Sequence, residues 1–578
     1  MSMKRKLQKA AALTLAGTMI LGAVTGCGGD KTAATEAKKD QKTEAGSKEA
    51  DTNKDTANGS DNGMDKGSEN GSESGSEAAK GDYTDYSKGF PEKITIKIPV
   101  YDRGFEGWDP TNNYYTKWIQ SEFGDKYNVE VQYVAIGRTT EVTDYMQMIA
   151  AGSAPDIIFH YDMPQAVSYY NEGAMQPLDL QEIAYYAPAY SDKLGDTIRD
   201  YGEMNGENIF FFADRDAIYY NWVTLIRQDW LDQVKMEMPT NREELEAVAQ
   251  AWKDAGLGTL GERLVNKSFT YDYAFRGQEV DQTELALYSD LNVPALTWKP
   301  TENYLRTLNK EYNEGLIDAE FYLKKEEPDV VGDFVSGKTG TYGFYMTNTT
   351  DVINSLTTND PNAKVAVLDP SAFAPKDSKP YYYEYPSYGM VMGMNAKTTD
   401  EQRAAIWMFL DWMIQDDNLF YLQNGVEGQN YTLDEDGIAM PAADFNGESK
   451  LSNNNNKDYW CLVAEVASYG DEQKNLKANR KTLAPAGYED LISQSYDYTK
   501  KIESYGLINT IFTKPVESSS EYASDLSALW QEVYVDMVTS APEEFDEKYK
   551  AACEEYLDAG YQEILDEKQA LLDEGAYK

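Results

Sequence analysis

The sequence predicts an α/β fold divided into two lobes, and three observations carry that expectation. Between residues 91 and 160, apolar residues alternate with period two, then recur at helical spacing, in the order strand, helix, strand, helix, strand. A second unit of the same kind opens around Ala217. The folded body holds about 490 residues, more than one hydrophobic core accommodates.

The chain opens on a basic stretch, Lys4, Arg5, Lys6 and Lys9, followed by an uncharged run from Ala10 to Val24. That run spans roughly 22 Å as a helix, short of the roughly 30 Å hydrocarbon core of a bilayer. It reads as the apolar part of a signal peptide, residues 1–26, and not as a membrane span. Val24-Thr25-Gly26-Cys27 places small residues before a cysteine, an order that resembles the bacterial lipobox. The resemblance implies lipidation of Cys27, whose several acyl chains supply stable membrane attachment. From Gly28 to Lys80 there is no Ile, Leu, Val, Phe, Tyr or Trp. Such a segment cannot offset the entropy of ordering, so residues 27–88 are expected to form a lipidated, disordered tether. Its end-to-end distance is on the order of 45 Å.

The body starts near Pro91. Ile94, Ile96 and Ile98 alternate with Thr95 and Lys97 in the first strand. A helix follows over 113–123, then the strand NVEVQYVAI, then a helix over Glu141–Ala151 and a short buried strand over 156–159. This order predicts a parallel sheet covered by helices. In the second unit AIYYNWVTLI reads as a strand and RQDWLDQV as the start of a helix. Thr240 and Glu243 suit a capping box ahead of Leu245, Val248, Ala249 and Trp252. GMVMGMN is a strand, and Ile406, Phe409, Leu410, Met413 and Ile414 form the buried stripe of the helix after it. The last hundred residues are mostly helical, with Phe545, Tyr549, Ala552, Tyr556 and Leu557 on one face. Asp156 reads as structural, and Trp230 and Trp252 as core. Arg227 is expected to pair with a carboxylate or a carbonyl.

Charge narrows the function. There are 98 acidic and 53 basic residues, for a net charge of −45. Removing residues 1–26 deletes four basic residues and no acids, giving −45 − 4 = −49. That opposes nucleic acid and anionic lipid as partners. One histidine, His160, argues against a histidine-based metal site. Beyond Cys27 there are only Cys461 and Cys553, which either pair or stand as separate small apolar residues.

Five signatures occur in one order: AAGSAPDIIF with YNEGAMQPLD, LIRQDWLDQVKMEMPTNREEL, FVSGKTGTYG, the Gly389 strand with its helix, and NGVEGQNYTLDEDG. Together they resemble the lipid-anchored extracellular solute-binding proteins of carbohydrate ABC importers, in their large Gram-positive branch. The resemblance implies a two-lobed periplasmic-binding-protein-like fold of type II, each lobe a mainly parallel sheet flanked by helices, with hinge strands between. On that basis lobe 1 takes residues 89–217 and about 384–440, and lobe 2 takes 218–383 and about 441–578. It also implies a monomer that captures an oligosaccharide between the lobes and delivers it to membrane permease subunits, without catalysis or a cofactor. The calcium-binding loop of some relatives has no counterpart here: KDAGLGTLGERL offers too few oxygen ligands, and Asp434–Gly437 reads as a hairpin turn, so no metal is expected.

Ligands of open α/β sheets lie outside the carboxyl ends of the strands. The first strand ends at Tyr101-Asp102-Arg103, with Phe105 and Trp108 beyond, and the third ends at His160-Tyr161-Asp162. Sugars present apolar C–H faces to rings and hydroxyl edges to carboxylates, which these residue types suit. Phe105 and Trp108 either join the site or pack under the first helix. His160 is either a cleft donor or a satisfied buried histidine. PYYYEYPSYG falls where the chain crosses between lobes. Its Tyr383 and Tyr385 share parity and one face of a strand. Tyr345, after the glycine-rich turn GKTGTYG, is a candidate from the second lobe. The acidity disfavours a polyuronate, although Arg103, Arg138 and Arg215 offer the makings of a local positive patch. Two other readings compete: a surface glycoside hydrolase, which needs two carboxylates across a cleft, and a peptide-binding importer subunit.

Overall fold

The computed structural model describes residues 83–578, apart from 216–221, 262–277, 279, 291–292, 325–326, 443–446 and 448–455. The expected signal peptide, Cys27 and nearly all of the tether lie outside the described residues, as does most of the segment after KDAGLGTLG.

The body begins earlier than Pro91. Tyr86 stacks on Phe90 at 4.1 Å, and the Tyr83 hydroxyl donates to Asp179 at 2.6 Å. These rings anchor residues that the sequence reading assigned to the tether.

Ile94–Asp102 and Val129–Gly137 run parallel, from Ile94 opposite Val129 to Asp102 opposite Gly137. The helix between them starts at Asn113, which forms a reciprocal capping box with Thr116. The predicted helix Glu141–Ala151 forms over those residues. Ile157–His160 follows, and Asp156 accepts from the Lys97 backbone N–H at 2.7 Å, tying the third strand to the first. Asp156 thus has a structural contact, with a neighbouring strand and not as the cap of a helix or turn that the sequence suggests. Tyr388–Met394 lies between Ile157–His160 and Phe210–Asp214, antiparallel to both, and all seven of its residues are buried. A strand covered on both faces reads as an unbroken apolar run, which is how YGMVMGM appears.

The second core is built on Trp222–Arg227, antiparallel to both Thr341–Tyr345 and Val365–Val367. Side chains leave a strand on alternate faces. Ile226 and Ala366 face one cluster, with Trp230, Trp252, Leu305 and the C-terminal helices. Leu225, Val365 and Val367 face another, with Phe334, Tyr342 and Leu491. Arg227 is 2% exposed and pairs with Asp229 and Asp360.

Three expectations need correction. The three-stranded sheets are antiparallel, not mainly parallel: Tyr388–Met394 and Trp222–Arg227 run against both of their neighbours, while Ile94–Asp102 and Val129–Gly137 pair in parallel. The cap of Arg242–Asp254 is Asn241, whose side chain accepts from the Glu244 N–H, while Thr240 bonds the Glu244 carboxylate instead. Residues 459–464, placed by sequence in the second lobe, pack in the first core, where Tyr459, Trp460, Cys461, Leu462 and Val463 fill space that no local pattern foretells. Of the two alternatives for the cysteines, the separate one holds: Cys461 lies in that first core and Cys553 against the second, both as free thiols.

Three crossing segments therefore lie side by side. The Asp214 N–H donates to the Val463 carbonyl at 3.0 Å, the Glu465 N–H donates to the Asp214 carbonyl at 2.7 Å, and the Arg215 N–H donates to the Ser387 carbonyl at 3.1 Å. Gly389 lies against Glu465, and a Cβ there would sit 2.6 Å from the Glu465 Cβ. Residues 431–433 and 439–441 form the predicted hairpin, with Asp434 accepting from the Gly437 N–H. No helix among the described residues is long and apolar enough to cross a membrane.

Candidate functional site

The carboxyl ends of the first and third strands bring Tyr101, Arg103, His160, Tyr161 and Asp162 together. The Arg138 N–H donates to the Asp102 carbonyl at 2.9 Å, which locks the two parallel strands at their ends. Tyr101 is 1% exposed, and its hydroxyl donates to Glu141 at 2.7 Å. Its ring stacks on Tyr161, with centroids 6.2 Å apart and planes 12° apart. The Arg138 guanidinium lies over both rings, 4.9 Å from the Tyr101 centroid and 5.6 Å from that of Tyr161. Tyr101 thus supports the site from beneath, while Tyr161 is half-buried and Asp162 exposed. Asp102 is also exposed and accepts from the Gly104 N–H at 2.9 Å.

Arg103 turns inward. Its Nε and Nη2 grip both oxygens of Asp458 at 2.8–3.1 Å. Burial opposes its charge, but hydrogen bonding and attraction to Asp458 outweigh that and raise its pKa. His160 accepts from the Asp162 N–H at Nδ1, 2.9 Å away, and its Nε2 faces Glu141 at 3.9 Å. Burial lowers its pKa and favours the neutral ring. Glu141 is 4% exposed, bonded to Tyr101 and, at 3.1 Å, to Arg138. Burial, against those two partners, pushes its carboxyl up to about 7.

Trp108, half-buried, packs on the first core beside Tyr115, 6.3 Å between centroids. At the crossing, Tyr383 packs edge-on against Tyr385 at 5.2 Å and also touches a small cluster with Leu285 and Trp298. Tyr385 is 38% exposed, with the Arg215 guanidinium 5.1 Å over its ring. The backbone of Tyr345 ends the strand Thr341–Tyr345 in the second core; its side chain lies outside the described atoms. The structure thus gathers the strand-end residues and, separately, the crossing tyrosines.

Glu465 links the two groups. Its carboxylate is close enough to Tyr161 to rank next to burial in pushing that phenol's pKa up, and it lies over Gly389 on the central crossing strand. One of its oxygens takes Lys457 at 3.0 Å; the other is buried without a partner among the described residues. Glu141, Lys457, Asp458 and Glu465 were missed in the sequence. Only Glu141 carried a signal, as an acid opening the helix that follows a strand end. The segment 457–465 has no pattern that would assign it to this site.

Residues 108–419 match the family model described as bacterial extracellular solute-binding protein. The chain belongs to this family. Among curated relatives, lipoprotein LipO of Bacillus subtilis is 22% identical over 53% of the chain and 63% of its own length. A polygalacturonan/rhamnogalacturonan-binding protein of the same organism, YtcQ, is 23% identical over 42% of the chain. The chain spans 63% and 52% of the lengths of these two relatives. Among solved structures, the alginate-binding protein AlgQ2 without calcium ion aligns with TM-score 0.59 and 18% identity, over 85% of this chain and 100% of that one. The Streptococcus pneumoniae substrate-binding protein FusA with kestose aligns with TM-score 0.57 and 14% identity, over 83% and 99%. At these identities the structures establish the solute-binding fold of two lobes. Among the described residues no group of His, Cys, Asp and Glu is arranged to hold a metal ion.

Proposed function

We propose that this solute-binding protein captures an oligosaccharide between its two lobes and hands it, chemically unaltered, to the permease subunits of an ABC importer. The observation that carries the reading is the convergence at the strand ends. Exposed Asp102 and Asp162 stand at the strand ends with the half-buried ring of Tyr161, and Glu465, from one of the three paired crossing segments, lies close enough to that ring to act on its phenol. A ring takes an apolar sugar face and carboxylates take hydroxyls. A ligand touching both lobes stabilises the closed arrangement, because only that arrangement contacts it from both sides. Carbohydrate ligands in the names of several relatives agree with this.

The reading extends to both ends of the chain's working life. Cys27 carries the lipid that holds the protein on the outer face of the membrane, residues 28–82 serve as the tether, and the body works as a monomer with no cofactor. The ligand leaves as it arrived, so the protein is not an enzyme. Titration calorimetry against a panel of oligosaccharides and peptides tests this, with mass spectrometry of the recovered ligands. Saturable sugar binding and an unchanged ligand mass support it. Peptide binding, or release of new reducing ends, overturns it.

A further inference from the structure

We infer that three ion pairs at the strand ends, Arg103–Asp458, Arg138–Glu141 and Lys457–Glu465, tune the site for a neutral oligosaccharide and against uronate-containing ones. This rests on the carbohydrate reading above and adds the ligand's charge class.

Taken one at a time, the arginines around the site suggest a receptor for acidic sugars. Their partners remove that character. Arg103 gives its planar fork to Asp458 in bidentate geometry, the arrangement a ligand carboxylate would need. Arg138 is held by Glu141 at 3.1 Å and lies over two tyrosine rings. Lys457 is held by Glu465 at 3.0 Å. Arg215 remains, and it caps the Tyr385 ring. With the exposed Asp102 and Asp162 added, the cluster holds five carboxylates against four cations. Asp162 is 54% exposed. The exposed carboxylates of Asp102 and Asp162 give the cluster acceptors that a ligand can reach. Surplus acceptors meet hydroxyl donors; a uronate brings further acceptors and a like charge, a mismatch that costs affinity. The net charge of −45 for the whole chain repels a polyanion in the same sense.

The ion pairs also make the selectivity switchable. Glu141→Gln frees Arg138, which is 40% exposed and can reach a ligand. Glu465→Gln frees Lys457, 26% exposed, on a separate segment. Calorimetry at pH 8, where Glu141 is ionised, compares neutral oligosaccharides (malto-, xylo-, manno-, fructo- and galacto-series) with oligogalacturonates and oligoalginates. The wild type is expected to bind a neutral member at least tenfold more tightly than any uronate. Each variant should raise the ratio of uronate to neutral affinity at least tenfold, about 1.4 kcal/mol. Wild-type uronate binding equal to or tighter than neutral binding overturns this inference and leaves carbohydrate capture standing. So does an unchanged ratio in both variants. Binding of no sugar at all removes the carbohydrate reading itself, and the two failures are thereby distinguished.

Discussion

Glu141→Gln also provides the sharpest test of the electrostatics at the strand ends. Glu141 is 4% exposed and faces the Tyr101 hydroxyl, Arg138 and the His160 ring, with Asp162 nearby. Burial raises its carboxyl from the ordinary 4.5 to about 7. The folded state therefore favours the protonated acid. That contribution is fully present below pH 4.5 and is lost as pH rises through about 7. At about 1.4 kcal/mol per pH unit, the gap corresponds to about 3 kcal/mol. Glutamine cannot ionise, so the variant lacks this loss, while the half-exposed Arg138 pair it gives up is worth under about 1 kcal/mol. His160 acts in the opposite sense: burial lowers its pKa, so its contribution is present above 6.5 and lost as pH falls. It operates in both proteins, but Glu141 lies 3.9 Å from the ring, so any difference it leaves is confined to pH below about 6.5 and the comparison rests on pH 7 and 8. Urea unfolding at pH 5, 6, 7 and 8, followed by tryptophan fluorescence, should show the wild type losing up to about 3 kcal/mol relative to the variant as pH rises. Stability profiles that stay parallel to within about 0.5 kcal/mol would refute the reasoning.

Asp458→Ala leaves Arg103, 18% exposed, without its carboxylate and should cost about 3 kcal/mol in urea unfolding. The apolar double replacement Arg103→Met with Asp458→Leu should recover most of that loss. Gly389→Ala drives a Cβ to 2.6 Å from the Glu465 Cβ and should cost about 1–3 kcal/mol, less in a Glu465→Gly background, since the nearest clash is with that Cβ, which glycine removes. Cys27→Ala should release the protein from the cell surface into the medium, as read by immunoblot of washed cells and supernatant.

The elements legible in the sequence were those with strong local periodicity. Ile94, Ile96 and Ile98 gave the first strand, and the helices Glu141–Ala151 and Asp400–Ile414 followed from their apolar spacing. The Asp434–Gly437 turn was equally local. Strand direction was not legible, because Tyr388–Met394 and Trp222–Arg227 owe their orientation to the crossings and not to their own residues. Nor was the destination of 459–464, whose apolar run lacks either period and fills the first core from far along the chain. At the site, the rule about strand ends found the location. It could not tell which residues face outward: Tyr101 and Arg103 are committed to Glu141 and Asp458, partners 40 and 355 positions away.

The central claim is that two lobes close on a sugar around the crossings at 214–215, 387–389 and 463–465. Small-angle X-ray scattering of the whole mature protein, without and with a saturating oligosaccharide identified by calorimetry, measures this directly. The account predicts a smaller radius of gyration and a shorter maximum dimension when the ligand is bound. Identical scattering from the free and the saturated protein would contradict it.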